Sequence, residues 1–110
     1  MDTDEIEKIA RTEAVFREVN EKIAETAERF EATETTFVCE CGSPRGTHRV
    51  VATLAQYEQV RSDGDTFLLV PGHEDERIEA VLAQSEDSAV VEKRDPIARR
   101  LVLELNPRTT

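Results

Sequence analysis

Between Ile6 and Phe30 the apolar positions Ile6, Ile9, Phe16, Val19, Ile23, Ala27 and Phe30 recur at steps of three, four and seven, with charged residues between them. That periodicity predicts one long amphipathic helix. Asp2, Thr3 and Asp4 precede it as possible caps, and their acidity suits the positive end of the helix dipole. The stripe either docks a partner helix or covers the protein's own sheet, and a chain this short has little else with which to close a core.

Beyond the helix the period changes. "TTFVCEC", residues 35–41, is β-branched and aromatic and reads as a strand with Phe37, Cys39 and Cys41 on one face and Val38 and Glu40 on the other. "GSPRG" supplies a turn and "HRVVAT" returns as the second strand of an antiparallel hairpin. In "TLAQYEQVRS", Thr53 and Gln56 have capping-box spacing and Leu54, Tyr57 and Val60 share one side of a short helix that Asp63-Gly64 ends. "TFLLV" is an apolar strand stopped by Pro71-Gly72, with His73 just past its end. "EDERIEAVLAQ" predicts a third helix with Ile78, Val81 and Leu82 inward, and "SAVVEK" a further strand. Asp95-Pro96 reads as a cap followed by proline at the first helical position. "IARRLVLEL" fits a final helix with Ile97, Leu101 and Leu105 in register, although its alternation competes for a strand.

The expected fold class is therefore α+β, a long N-terminal amphipathic helix packed on a small mixed or antiparallel sheet with short helices. The chain, residues 1–110, is expected to be one small domain, with 1–5 and 106–110 frayed; its length suits one modest core.

Composition narrows the picture. Hydrophobic residues make up 38% and charged residues 35%, mean hydropathy is -0.51 and tryptophan is absent, so the core must be built mainly of Val, Ile, Leu and Ala. No apolar run approaches the roughly 18–20 residues of a membrane span, and "MDTDEIEK" is acidic where a signal peptide would be basic. A cytoplasmic protein is expected, in a compartment where structural disulfides are rare. The net charge of -10 is uneven: acidic residues outnumber basic ones 11 to 5 in residues 1–36, but only 4 to 3 in 37–73. Such a surface repels phosphate backbones, which argues against direct nucleic acid binding and for solubility.

The nearly neutral middle holds both cysteines and both histidines. A disulfide between Cys39 and Cys41 is unfavourable on a strand, where residues two apart lie about 6.6 Å apart with parallel Cβ vectors. A catalytic dithiol would sit at a helix N-terminus, which this segment lacks. Zinc asks for thiolates at about 2.3 Å and imidazole nitrogens at about 2.0 Å in a tetrahedron. Cys39 and Cys41 from one strand, His48 from the next and His73 from the loop after "TFLLV" could supply a closed structural Cys2His2 site. The competing reading makes the cysteines small buried apolar residues and leaves the histidines at the surface. Glu74 beside His73 could serve a catalytic zinc as base, but is better read as an acid at a helix start.

"FREVNEKIAE", "FVCECG", "TLAQYEQVR", "FLLVPGHE" and "VVEK", in this order between Ala14 and Lys93, resemble a group of short, uncharacterised actinobacterial proteins. The resemblance implies a Cys-x-Cys-Gly … Pro-Gly-His pattern with a third cysteine before the second strand, and hence a metal site of Cys39, Cys41 and His73. Here Gly46 stands where that cysteine is expected, so either His48 replaces it or tight metal binding is lost. It implies no activity. No phosphate-binding loop or triad motif is present. Two readings stay open: a non-enzymatic binding or regulatory module with a basic or apolar protein partner, and a zinc- or thiol-dependent enzyme centred on Cys39, Cys41 and His73.

Overall fold

A computed structural model describes residues 1–41 and 48–108. The fold is α+β, in the order α1 (Thr3–Arg29), β1 (Glu34–Val38), β2 (Arg49–Thr53), α2 (Leu54–Val60), β3 (Thr66–Leu69), β4 (Glu79–Gln84), β5 (Ala89–Lys93) and α3 (Pro96–Glu104). In place of one sheet there are two: an antiparallel β1-β2 pair, and an antiparallel sheet of order β3-β5-β4. The turn expected through "GSPRG", with Gly46, lies outside the described residues.

The long helix forms, and Ile6 and Ala27 of the expected stripe are buried with Ile9 and Ile23 packed against the core, but the inward face is rotated from that stripe. Ile6, Ala10, Glu13, Ala14, Arg17, Asn20, Ala24 and Ala27 are buried, whereas Val19 is 41% and Phe30 77% exposed. Positions 6, 10, 13, 17, 20, 24 and 27 keep helical spacing with alanines at the ends and polar residues at the centre. Those polar side chains face inward because partners await them. Arg17 donates from Nη1 to the Gly64 carbonyl (2.7 Å) and from Nη2 to that of Val102 (2.8 Å), and its guanidinium lies over the Phe67 ring. Asn20 pairs with both backbone groups of Val38, each at 2.8 Å. Helix α1 thus closes over β1 and packs against α3.

The segment 74–84 is not a helix. After a turn it forms β4, whose ladder with β5 carries a register shift between Val81 and Ala83. Ile78 is buried as expected, but Val81 and Leu82 are 39% and 49% exposed. The helical spacing of Ile78, Val81 and Leu82 loses to a neighbouring strand that offers a full ladder, and to Lys93, which needs Glu79 pointing inward. Glu74 accordingly starts no helix; its carboxylate accepts a hydrogen bond from the Gly72 N–H (3.1 Å).

The smaller elements follow their local signals. Thr53 and Gln56 form the capping box of α2, which ends at Val60 rather than at Asp63-Gly64. The Asp95 carboxylate caps α3 ahead of Pro96. That segment is a helix, yet it buries Ala98 and Val102 and leaves Ile97 exposed, one position away from the expected register. The core gathers Phe37, Val50, Tyr57, Phe67, Leu69, Ile78 and Val91 between these layers, with Phe37 stacked on Tyr57 at a ring separation of 4.5 Å.

Candidate metal centre

Strand β1 stops at Val38, three residues short of the expected strand, and Glu40 and Cys41 lie in a turn. Cys39 still faces its cross-strand neighbour: its N–H donates to the His48 carbonyl at 2.7 Å, continuing the pairing of Val38 with Arg49. This places Cys39 and His48 opposite each other, so their side chains leave the hairpin on the same side. Glu40, expected on the face opposite Cys39, lies in this turn. It is fully buried, pairing its N–H with the Leu68 carbonyl (2.9 Å) and accepting at its carboxylate from the Leu68 N–H (3.0 Å) and from Asn20 (2.7 Å). Residues 38–40 therefore bridge the two sheets.

His73 is delivered by a type II turn. Pro71 and Gly72 occupy its central positions, Gly72 has φ +90°, and the His73 N–H donates to the Val70 carbonyl at 3.1 Å. The same turn brings Val70 to the site, where its N–H donates to the Cys39 sulfur at 3.1 Å. Hydrogen bonds of this kind favour a charged sulfur.

Cys39, Cys41 and His73 converge, with ligand atoms that all lie within 4.8 Å of one another. The Cys39 Sγ is 3.7 Å from His73 Nδ1. Cys39 is buried, Cys41 and His73 are half-buried, and neither cysteine is in a disulfide. His48 is not in that close set, but its ring meets the His73 ring edge-on at a centroid separation of 4.5 Å. Its Nδ1 is buried without a hydrogen-bond partner. The neighbouring Cys41 thiol, together with burial, raises the Cys39 pKa, so in the bare site its sulfur holds a proton that a metal would displace.

The distances are close to what one cation needs. Ligands at about 2.0–2.3 Å around a tetrahedral ion lie roughly 3.3–3.8 Å from each other, so three of the donors need only contract slightly. Two thiolates and an imidazole are the donor set that zinc and other borderline-soft ions select. The three ligands come from both sheets, which makes the site a potential cross-link between them.

A second polar cluster lies inside the protein, and sequence reasoning did not find it. Lys93 is fully buried with its ammonium donating to Glu13 (2.6 Å) and to Glu79, and, like the Arg17 guanidinium, it lies over the Phe67 ring at 4.7 Å from its centroid. Its only sequence signal is the spacing of Glu13, Arg17 and Asn20 in one helical stripe. No family model, no curated protein and no solved structure matches the chain.

Proposed function

We propose that the protein is a non-enzymatic binding or regulatory module whose two sheets are joined by a structural zinc ion held by Cys39, Cys41, His48 and His73. The observation that carries this reading is the convergence of three ligand atoms within 4.8 Å beside a histidine whose buried Nδ1 has no partner. His48, whose ring lies 4.5 Å from that of His73, would supply the fourth nitrogen, and a closed tetrahedron leaves no position for substrate. In this reading His48 takes the place of the third cysteine that the resembling proteins carry where this chain has Gly46. The acidic, partly apolar outer face of α1, with Val15 and Val19 exposed, is offered to a basic or apolar protein partner.

The test is elemental analysis of chain purified without chelators, which should find zinc stoichiometric with protein. His48→Ala should weaken zinc retention by about 10-fold or more, as expected for loss of a ligand or of its support. Unchanged affinity in His48→Ala would exclude the closed site and favour three protein ligands with an open position, the arrangement of a catalytic zinc. A chain without zinc would reduce Cys39 and Cys41 to buried thiols.

A further inference from the structure

Cys39 and Cys41 do not sit on a regular strand. Because β1 ends at Val38 and Glu40 and Cys41 form a turn, the extended spacing that makes a disulfide between alternate strand residues unfavourable does not apply. The two sulfurs already lie within 4.8 Å of each other. Their burial differs: Cys41 is half-buried, whereas Cys39 is 2% exposed. The same pair also supplies half of the proposed ligands, and Cys39, through Val70 and His73, holds the end of β3.

We infer that Cys39 and Cys41 form a peroxide-sensitive clasp, in which oxidation to an intramolecular disulfide releases the metal and loosens the junction between the two sheets. This rests on the zinc reading above. Peroxide oxygen is attacked by the Cys41 sulfur: an S–O bond forms, the O–O bond breaks, and the departing hydroxide takes a proton to leave as water. The Cys39 sulfur then displaces the second hydroxide from the Cys41 sulfenic acid, forming the S–S bond, and that hydroxide also leaves as water. In total two thiolates are oxidised, one peroxide is reduced and two protons are consumed. Both sulfur ligands are lost together, and two histidines alone hold zinc poorly.

The experiment treats zinc-loaded full chain with hydrogen peroxide, following free zinc with a chromogenic chelator and the protein by intact mass. The expected result is complete loss of bound zinc in step with loss of two hydrogens from the chain, both reversed by a dithiol reductant and fresh zinc. In Cys39→Ser the sulfenic acid on Cys41 should persist and be trapped by dimedone, which wild type should not show. Zinc that stays bound under peroxide, or is lost with sulfinic acids or intermolecular disulfides in place of the internal one, overturns the inference alone. A chain that carries no zinc before oxidation overturns the metal reading, and the release with it.

Discussion

An ammonium group removed from water costs several kcal/mol unless charged partners surround it, and Lys93 is fully buried between the carboxylates of Glu13 and Glu79. Burial alone would lower the lysine pKa, but the two carboxylates outweigh it and the value is raised. Glu13 is raised as well, which for a carboxyl disfavours the charged form: burial pushes it from 4.5 up to about 8, against the pull of Lys93 and with added repulsion from Glu79 and Cys41. Across that window the native chain holds a proton that the unfolded chain has released, so stability falls as pH rises from about 4.5 to about 8. Glu21 and Asp75, whose pKa values are lowered, act in the opposite sense, and their contribution is lost only in stronger acid. Thermal unfolding should therefore occur at a lower temperature at pH 8 than at pH 5. Glu13→Gln keeps an acceptor for Lys93 and removes the titration, so it should narrow that difference by roughly 4–8 °C for each kcal/mol involved. An equal difference in variant and wild type would show that Glu13 does not carry the effect.

At the scale of the element, residues 78–82 distinguish two foldings of one apolar pattern. In an inward-facing helix Ile78 and Leu82 would share a buried stripe; in the structure Ile78, in the turn just before β4, is 1% exposed and Leu82, on β4, 49%. Denaturant titration should show Ile78→Ala costing about 2–5 kcal/mol, as for a core deletion, and Leu82→Ala about 1 kcal/mol or less. Equal large losses at both would contradict the strand. Elements with a local marker were legible: Thr53 with Gln56, Asp95 with Pro96, and the β-branched residues of β1 and β2. The rotation of α1 was not, because Ala10, Glu13, Arg17 and Asn20 look like a solvent face until their partners on other elements are known.

For the whole molecule the junction between the sheets matters most. Asn20, Glu40 and Cys39 hold it through hydrogen bonds to Val38, Leu68 and Val70, and His73 stands against it. A metal at this place would tie the β1-β2 hairpin to β3, so chelator treatment should lower the unfolding temperature and speed amide exchange at Leu68 and Val70 more than at Val91 in the central strand of the three-stranded sheet. Uniform exchange with and without chelator would separate the site from the junction. Among the described residues no helix is long and apolar enough to cross a membrane.

The sequence by itself determined the α+β class, the long helix and the β1-β2 hairpin, and it marked Cys39, Cys41, His48 and His73 as candidate ligands, whereas the convergence of Cys39, Cys41 and His73 is a finding of the structure. The sequence signals are local in the chain: helical or alternating periodicity, caps, the Pro71-Gly72 turn, and residue types so few that their grouping was conspicuous. Only the tertiary structure decided that 79–84 is a strand, that there are two sheets, and that Glu13, Arg17, Asn20, Glu40 and Lys93 lie inside. The physical reason is common to all three. A strand needs a neighbour to satisfy its backbone, and a buried charge or amide is tolerable only beside its partner. Glu13 and Lys93 stand 80 residues apart, a separation at which no local pattern can register the pair.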